Sequence, residues 1–248
     1  MSDLTPDPAA KDLADQMVSM EDIQREILNE TLDSQDDGQI LESGRTICPR
    51  GGGVKGPGDR HPQAVDLRSC PLEAGGVWHT HVTPRQIRNP EHSIIDVANV
   101  AFGYVDSSVV SGTESSDVLV AANDNGQMVE ELNKATGVEV NSPEELFEAV
   151  ESGEVNPTKA RRRVRDAFGP LFYRERTGYD DLSSRISRRD ISASAIRDTP
   201  SGCTAYTYHE MYRQPTTMSM RESCDSMTNS FDEIGDRLQK LGANEALQ

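Results

Sequence analysis

The sequence predicts an α/β (or α+β) domain over residues 11–122, followed by a mostly helical or irregular C-terminal extension. Within 11–122, short apolar segments of strand length alternate with amphipathic segments of helical period. From residue 123 the segments are helical, and after Tyr173 the chain becomes polar. Hydrophobic residues make up 35% of the 248 residues, below the usual range of about 45–50%, so we do not expect a core through the whole length.

The first expected elements are a disordered arm, a helix and a hairpin. The arm covers residues 1–10, and residues 11–32 have the apolar spacing of a moderately amphipathic helix. Residues 39–48 predict a short hairpin with its turn at 42–44. The Gly/Pro-rich residues 49–62 predict a flexible surface loop, and because they lack the GK[ST] ending of a phosphate loop, nucleotide binding is not expected.

The centre of the domain alternates strands with one short helix. Residues 76–81 predict a strand in the interior of the sheet, because glycine, valine and tryptophan lead into it. A helix is expected over 94–102, opened by residues 90–93. Two more strands are expected at 105–110 and 118–121.

The extension divides into a helical segment at 123–173 and a polar segment at 174–248. The expected helices of the first segment are 126–136, 143–151 and 157–168. In the second, 174–229 are expected to be weakly ordered unless a partner or an oligomer holds them, and 230–241 predict a last helix.

The charge balance is strongly acidic. The 42 Asp and Glu residues outnumber the 25 Lys and Arg residues, for a net charge of −17, and only five of the basic residues are lysine. This composition resembles proteins of salt-in halophilic archaea and their viruses, and it disfavours nucleic acid as a partner, because a phosphate-binding footprint is basic. No run approaches about 18 apolar residues, and the acidic N-terminus lacks the apolar core of a signal peptide. We therefore expect no membrane association and a cytoplasmic or virion-associated protein.

The cysteines and one arginine run are two further groups with possible roles. The four cysteines are scattered without a CxxC pair and are expected to be free thiols: Cys48, Cys70, Cys203 and Cys224. A second metal site at Cys203, His209, Glu210 and Cys224 has no standard ligand spacing. The arginine run at 161–165 places Arg161 and Arg165 on one helix face, where they could pair with the protein's own acids or dock an acidic partner.

One group of residues carries the chemistry of a metal site. His79 and His81 are two apart on the predicted strand at 76–81, so both imidazoles lie on one face. Asp96 lies one turn into the next helix, and Ser93 opens that helix. Two histidines and a carboxylate with an open fourth position form the ligand set of a catalytic zinc. Ser93 and Asp96 alone would be explained by helix capping, but the combination with the two histidines favours metal binding.

The segments GVWHTH and PEHSIIDVANVAFGYVDSSVV resemble the HxHP…SxxD signature of the JAMM/MPN (Jab-domain) metalloproteases. The resemblance covers about residues 11–122, under half of the chain, and implies a mixed sheet with flanking helices. It implies that His79, His81 and Asp96 bind zinc and that Ser93 donates a hydrogen bond to the oxyanion. The substrates of that family are isopeptide-linked ubiquitin-like proteins, or peptides in phage-tail versions.

The chain departs from this signature in three places. Val82 replaces the proline after the second histidine, and 15 residues separate His81 from Asp96, against about 11 in the usual pattern. The third departure is the upstream glutamate that serves as general base. The carboxylates available for this role are Asp36, Asp37, Glu42 and Glu73. A turn at 42–44 would put Glu42 about 20 Å of strand from the metal, whereas a hairpin that starts later would bring it close.

Two functions therefore stay open. The first is a zinc-dependent JAMM-like peptidase or isopeptidase, in which His79, His81 and Asp96 bind zinc and Ser93 with Glu42 or Asp36 serves catalysis. The second is a catalytically weak or inactive scaffold that assembles with a protein partner, for example in a halophilic virus particle, and forms an oligomer through residues 123–248.

Overall fold

The computed structural model describes residues 4–36, 41–49, 53–56, 70 and 74–186. Its helices are α1 (Pro8–Ser19), α2 (Glu21–Asp36), α3 (Pro84–Arg88), α4 (Ile94–Ala101), α5 (Asn125–Thr136), α6 (Pro143–Glu151), α7 (Pro157–Ala167) and α8 (Asp180–Arg185). Its strands are β1 (Gly44–Cys48), β2 (Gly53–Lys55), β3 (Gly75–His79), β4 (Val105–Val110), β5 (Ser115–Val120) and β6 (Phe172–Arg176). The predicted fold class, a mixed sheet with flanking helices, is confirmed.

The six strands form one sheet in the order β2-β1-β3-β4-β5-β6. Only β3 and β4 pair in parallel, and the other neighbours are antiparallel. The parallel pair needs a crossover, which α3 and α4 provide. β3 lies in the interior of the sheet, as its glycine-rich, apolar sequence predicts.

Side chains on β3 alternate between the two faces of the sheet. Trp78 is fully buried toward α1, where its Nε1 donates to the Met17 carbonyl oxygen at 3.2 Å. The next residue, His79, therefore points to the opposite face. Trp78 therefore belongs to the core, whereas its direct neighbour in the chain, His79, belongs to the candidate site.

Residues beyond the predicted boundary at 122 belong to the same sheet and the same core. β6 pairs with β5, and α5, α6 and α7 pack against α4. Leu146 and Phe168 are completely buried in the cluster that also contains Trp78. The helical segment therefore completes the domain by covering α4.

The N-terminal residues differ from expectation. Leu4 is buried, and the backbone N–H of Asp7 donates to the Ala121 carbonyl oxygen at 2.8 Å. The prediction of a disordered arm is therefore wrong over residues 4–10, because backbone hydrogen bonds hold this segment against the end of β5.

The long helix expected over 11–32 is two helices. α1 ends at Ser19 and α2 begins at Glu21, with Met20 in a non-helical conformation between them. The buried Gln24 side chain donates to the Val18 carbonyl oxygen at 2.8 Å and so satisfies an otherwise unpaired group at the end of α1. The change of direction explains the irregular apolar spacing in this segment.

The predicted hairpin at 39–48 is wrong. β1 begins at Gly44 and pairs with β2, so residues 42–44 precede the first strand of this hairpin instead of forming its turn. Glu42 consequently precedes β1 instead of lying at a distant turn. β2 lies within the segment expected to be a flexible surface loop.

Cys48 and Cys70 form a disulfide, which contradicts the expectation of free thiols for this pair. Cys48 ends β1, and the disulfide ties the segment before β3 to that strand. Cys203 and Cys224 lie outside the described residues, as does the rest of the weak second metal site.

The first part of the polar segment is folded. β6 extends to Arg176, and α8 packs Leu182 into a small cluster with Leu28 of α2 and Ile87 of α3. The expectation of weak order is therefore wrong over 174–186, and residues 187–248, with the predicted last helix, lie outside the description. Among the described residues, no helix combines the length and the apolar character needed to cross a membrane.

Candidate metal centre

The structure brings together the three predicted ligands. His79 ends β3, His81 follows two residues later, and Asp96 occupies the first turn of α4. Their candidate ligand atoms lie within 4.8 Å of one another. His79 Nε2 is 3.4 Å from Asp96 Oδ1, and His81 Nε2 is 3.9 Å from Asp96 Oδ2.

These separations can be compared with those around a metal ion. With metal–ligand bonds of about 2.0–2.1 Å, neighbouring ligand atoms of a tetrahedral site lie about 3.4 Å apart and neighbouring imidazole centroids about 5.2 Å apart. The centroids of His79 and His81 are 5.2 Å apart. The buried His79 Nε2 has no hydrogen-bond partner among the described residues, so a ligand atom is available. The group could therefore bind a metal ion.

The charge states of two of the three side chains, His81 and Asp96, suit coordination. His79 and His81 are buried. Burial and the neighbouring His79 lower the pKa of His81 to about 3. Burial acts to raise the pKa of Asp96, but the adjacent histidines outweigh it and hold that pKa far below its ordinary value. Neutral imidazoles and an ionised carboxylate are the forms that bind metals.

Ser93 and Asp96 form a capping box at the start of α4. The Ser93 Oγ accepts from the Asp96 N–H at 3.1 Å, and Asp96 Oδ2 accepts from the Ser93 N–H at 2.6 Å. The candidate ligand Asp96 is therefore also a member of the capping box, and its hydrogen bond with Ser93 fixes the orientation of its carboxylate. Because the Ser93 hydroxyl acts as an acceptor in this box, its hydrogen stays available for donation.

Glu42 is close enough to one of the three ligands, Asp96, to interact with it electrostatically. The Thr80 N–H donates to the Ser43 carbonyl oxygen and the Ser43 N–H donates to Thr80 Oγ1, both at 2.9 Å. These bonds hold the residue between the two histidines against the neighbour of Glu42. Glu42 is buried, and burial followed by repulsion from Asp96 raises its pKa well above the ordinary value.

The other candidate bases are Asp36, Asp37 and Glu73. Asp36 is the last residue of α2. Asp37 and Glu73 lie outside the described residues. Of the alternatives left open by the sequence, the later hairpin is the observed one, and Glu42 precedes β1 near Asp96.

An ion-pair network between the buried Arg45 and partly exposed acids of α2 anchors the segment that carries Glu42. Arg45 is nearly inaccessible to solvent and donates to Glu26 at 2.7 Å and also to Glu30, while Ser43 donates to Glu30 as well. A second link is the hydrogen bond between Thr80 Oγ1 and Thr31 Oγ1 of α2, at 2.6 Å. α2 thereby fixes the entry to β1.

The long loop between His81 and Asp96 contains a helix that sequence analysis missed. Thr83 caps α3, with Pro84 at its first position, and Ile87 is fully buried. The additional residues are therefore packed structure between β3 and α4. The Thr83-Pro84 pair, a cap followed by proline at the first position, was the local signal for this helix.

A second buried cluster, which sequence analysis also missed, lies beside the ligands. His92 Nδ1 is 2.8 Å from Asp117 Oδ2, and the His92 backbone N–H donates to the same oxygen at 3.1 Å. Arg165 donates to both Asp117 oxygens at 2.6 Å. The centroids of His92 and His79 are 6.2 Å apart. Neither His92 nor Asp117 belongs to a recognisable local motif.

The arginine run is partly explained by this cluster. Arg165 pairs with Asp117, and Arg161 lies 3.7 Å from Glu91, so the two arginines on one face pair internally. Arg162 and Arg163 are exposed. Internal pairing therefore accounts for the half of the run that faces the site.

Comparison of the chain with protein-family models, with curated proteins and with solved structures found no match. The resemblance to the JAMM/MPN signature accordingly stays a prediction.

Proposed function

We propose that the protein is a zinc-dependent hydrolase of a peptide or isopeptide bond in a protein substrate, similar in its site to the JAMM-like peptidases. The observation that carries this proposal is the convergence of His79, His81 and Asp96, with the buried Glu42 near Asp96. Two imidazoles and one carboxylate are the three-ligand set of hydrolytic zinc sites, which keep a position open for water or substrate.

A bound zinc ion would supply Lewis-acid chemistry, activating water and polarising a carbonyl group. Glu42 is placed to accept a proton from the attacking water and to return it to the leaving nitrogen as the C–N bond breaks. A carboxyl with a raised pKa suits both halves of this transfer near neutral pH. The Ser93 hydroxyl is placed on the ligand-bearing helix, from which it can donate to the carbonyl oxygen.

The position of Glu42 favours this hydrolase over an inactive scaffold. The scaffold hypothesis was favoured by the C-terminal extension, by its weakly apolar composition and by the absence of a clear base within reach of the metal. A buried carboxyl near Asp96 supplies that base, at the cost of burying an acid next to an acid. Such a destabilising placement is typical of functional sites.

Elemental analysis tests the proposal. We expect about one zinc per chain in the wild type and little in His81→Ala. The matched control is His209→Ala, which removes a histidine of the weaker C-terminal site and should leave the zinc content unchanged. Absence of zinc from the wild type after purification in molar salt with added zinc would contradict the proposal. Loss of zinc in the His209 variant alone would place the metal elsewhere.

A further inference from the structure

A surplus of positive charge lies beside the candidate metal centre. Three arginines share two carboxylates there, namely Arg161, Arg165 and Arg174 with Glu91 and Asp117. The whole chain has 42 acidic and 25 basic residues, so a place where basic side chains outnumber acidic ones runs against its composition. The surplus cation is therefore a local feature of this place and not a consequence of the overall charge.

The two carboxylates are unequally occupied. Arg165 donates to both oxygens of Asp117 at 2.6 Å, so this carboxylate is filled. Glu91 is shared, because its oxygens lie 3.7 Å from Nη2 of Arg161 and 3.5 Å from Nη2 of Arg174. Hydrogen bonds between a guanidinium and a carboxylate are about 2.7–2.9 Å long. Glu91 therefore holds both of its arginines loosely.

Arg161 is the least engaged of the three arginines. Arg174 also donates to the Pro90 carbonyl oxygen at 3.2 Å. Within the described part of the chain, Glu91 is the sole acid at ion-pair distance from Arg161. The Arg161 side chain is 39% exposed, so an incoming ligand can reach it. A guanidinium has five N–H donors and a permanent positive charge, and here it is left with donors to offer.

Arg161 lies at the edge of the candidate metal centre. It is one turn before Arg165 on α7, so the two side chains share one face of that helix. Burial, and after it the neighbouring His79, lower the pKa of His81, and the positive charge of Arg161 adds to this effect. His81 is buried, whereas Arg161 and Glu91 are both partly exposed. The guanidinium is therefore placed where the buried ligands meet the solvent.

We propose that Arg161 is a specificity-determining residue, which binds a carboxylate of the substrate close to the scissile bond. This inference rests on the proposed hydrolase and names its substrate class, a peptide or isopeptide with an acidic group beside the bond that is cleaved. Arginine suits this role because its planar guanidinium binds a carboxylate through paired hydrogen bonds. The acidic group is an Asp or Glu side chain, or the C-terminal carboxylate of the chain that is cleaved.

Inhibitor binding tests the inference without hydrolysis. Hydroxamates bind zinc at an open position of the kind that hydrolytic sites keep. The monohydroxamates of succinic, glutaric and adipic acid place a carboxylate at increasing distances from that group. Each is compared with the uncharged alkyl hydroxamate of the same chain length, by calorimetric titration of the zinc-loaded full chain. The variant is Arg161→Gln, and its matched control is Arg163→Gln, at an exposed position elsewhere on α7.

We expect the wild type to bind at least one of the three acids about 10-fold more tightly than its uncharged match. Arg161→Gln should lose this preference and Arg163→Gln should keep it, with folding checked by circular dichroism. Glu91→Gln is the second variant, in case the first does not fold, and should increase the preference because the competing carboxylate is gone. No preference in the wild type, an equal preference in Arg161→Gln, or an unchanged or lower preference in Glu91→Gln would overturn the inference.

Digestion of a peptide library distinguishes the two sources of the carboxylate. Cleavage beside internal Asp or Glu residues would identify a side chain, and cleavage only next to the last residue would identify the C-terminal carboxylate. Either pattern should disappear in Arg161→Gln. A wild type that binds zinc and hydroxamates without preferring the acids would refute only this inference, whereas a wild type without zinc would refute the proposed function as well.

Discussion

His79 and Asp117 occupy the same row of the sheet, two strands apart, with Val110 between them. The pairing of β3 with β4 and of β4 with β5 determines this relation, which local sequence does not show. The candidate ligand and the carboxylate that supports His92 are therefore fixed by the same backbone hydrogen bonds. Arg174 of β6 continues the row, and its Nε lies 3.7 Å from Asp117.

Asp117→Asn should destabilise the fold. It leaves Arg165 and the buried His92 without their carboxylate partner. Because one-third of the Arg165 side chain is exposed, we expect a loss smaller than the about 3–5 kcal/mol typical of a fully buried pair. Urea unfolding followed by the fluorescence of Trp78, the single tryptophan, measures the effect. Asp166→Asn, at an exposed position on α7, is the control and should leave the urea midpoint unchanged.

The stabilisation by Asp117 should depend on pH. Burial acts against the charged form, but hydrogen bonds from Arg165 and His92 outweigh it and lower the pKa of Asp117. A carboxyl whose pKa is lower in the folded state stabilises fully above its unfolded pKa of about 3.9 and loses this contribution as the pH falls further. The difference in unfolding free energy between wild type and Asp117→Asn should therefore be constant between about pH 5 and 7. It should shrink as the pH falls below about 4. A difference that instead grew on acidification would contradict the assigned ion pair.

The parts of the site that sequence predicted are those with a local signal. The spacing of His79 and His81 on a strand and the Ser93–Asp96 cap are each contained within a few residues, and both are present in the structure. The relation between His92 and Asp117 spans 25 residues and depends on strand register. It could not be read from either segment alone.

The error at the hairpin has a physical cause. Glu42-Ser43-Gly44 is a turn signal by composition, yet Glu42 and Ser43 are both buried. Tertiary hydrogen bonds between Ser43 and Thr80 stabilise an extended entry to β1. Local preference for a turn was overridden by contacts that the sequence does not display.

Glu42→Gln should abolish hydrolysis without removing the metal. A general base contributes about 10²–10⁴-fold to the rate, whereas the three ligands are untouched, so zinc content should stay near one per chain. Rates on a panel of peptide and isopeptide substrates and elemental analysis measure the two properties. Glu144→Gln, exposed in the first turn of α6, serves as the control. Full activity of Glu42→Gln would exclude Glu42 as the base.

The same substitution should not lower the stability of the metal-free protein. Because the pKa of Glu42 is raised in the folded state, the ionised carboxylate destabilises the fold above its unfolded pKa of about 4.3. Removing that charge should leave the urea midpoint at pH 8 unchanged or raise it when metal is chelated. A clear loss of stability would indicate that Glu42 is held by favourable contacts as a structural residue.

Breaking the disulfide between Cys48 and Cys70 should destabilise the fold. The residues are separated by 22 positions, and closing a loop of this size restricts the unfolded chain by about 3 kcal/mol. Cys48→Ser and the double variant Cys48→Ser/Cys70→Ser should be destabilised equally, because either one removes the bond. Urea unfolding of both, with and without a reducing agent, measures the effect. A reducing agent should lower the stability of the wild type and leave that of the double variant unchanged.

Gly75→Ala should destabilise the fold more than the addition of one methyl group suggests. A Cβ at Gly75 would lie 2.2 Å from the Ile47 carbonyl oxygen and 2.6 Å from Cys70 Sγ. The carbonyl belongs to the backbone of β1 and cannot rotate away, so β1 and β3 must separate at the end nearest the disulfide between Cys48 and Cys70. A loss of about 1–3 kcal/mol is expected from such overpacking. Gly169→Ala, where no atom lies within 4 Å of the added Cβ, is the matched control and should be neutral or slightly stabilising, by up to about 1 kcal/mol. Equal urea midpoints for the two variants would mean that β1 and β3 do not approach as closely at Gly75 as the structure places them.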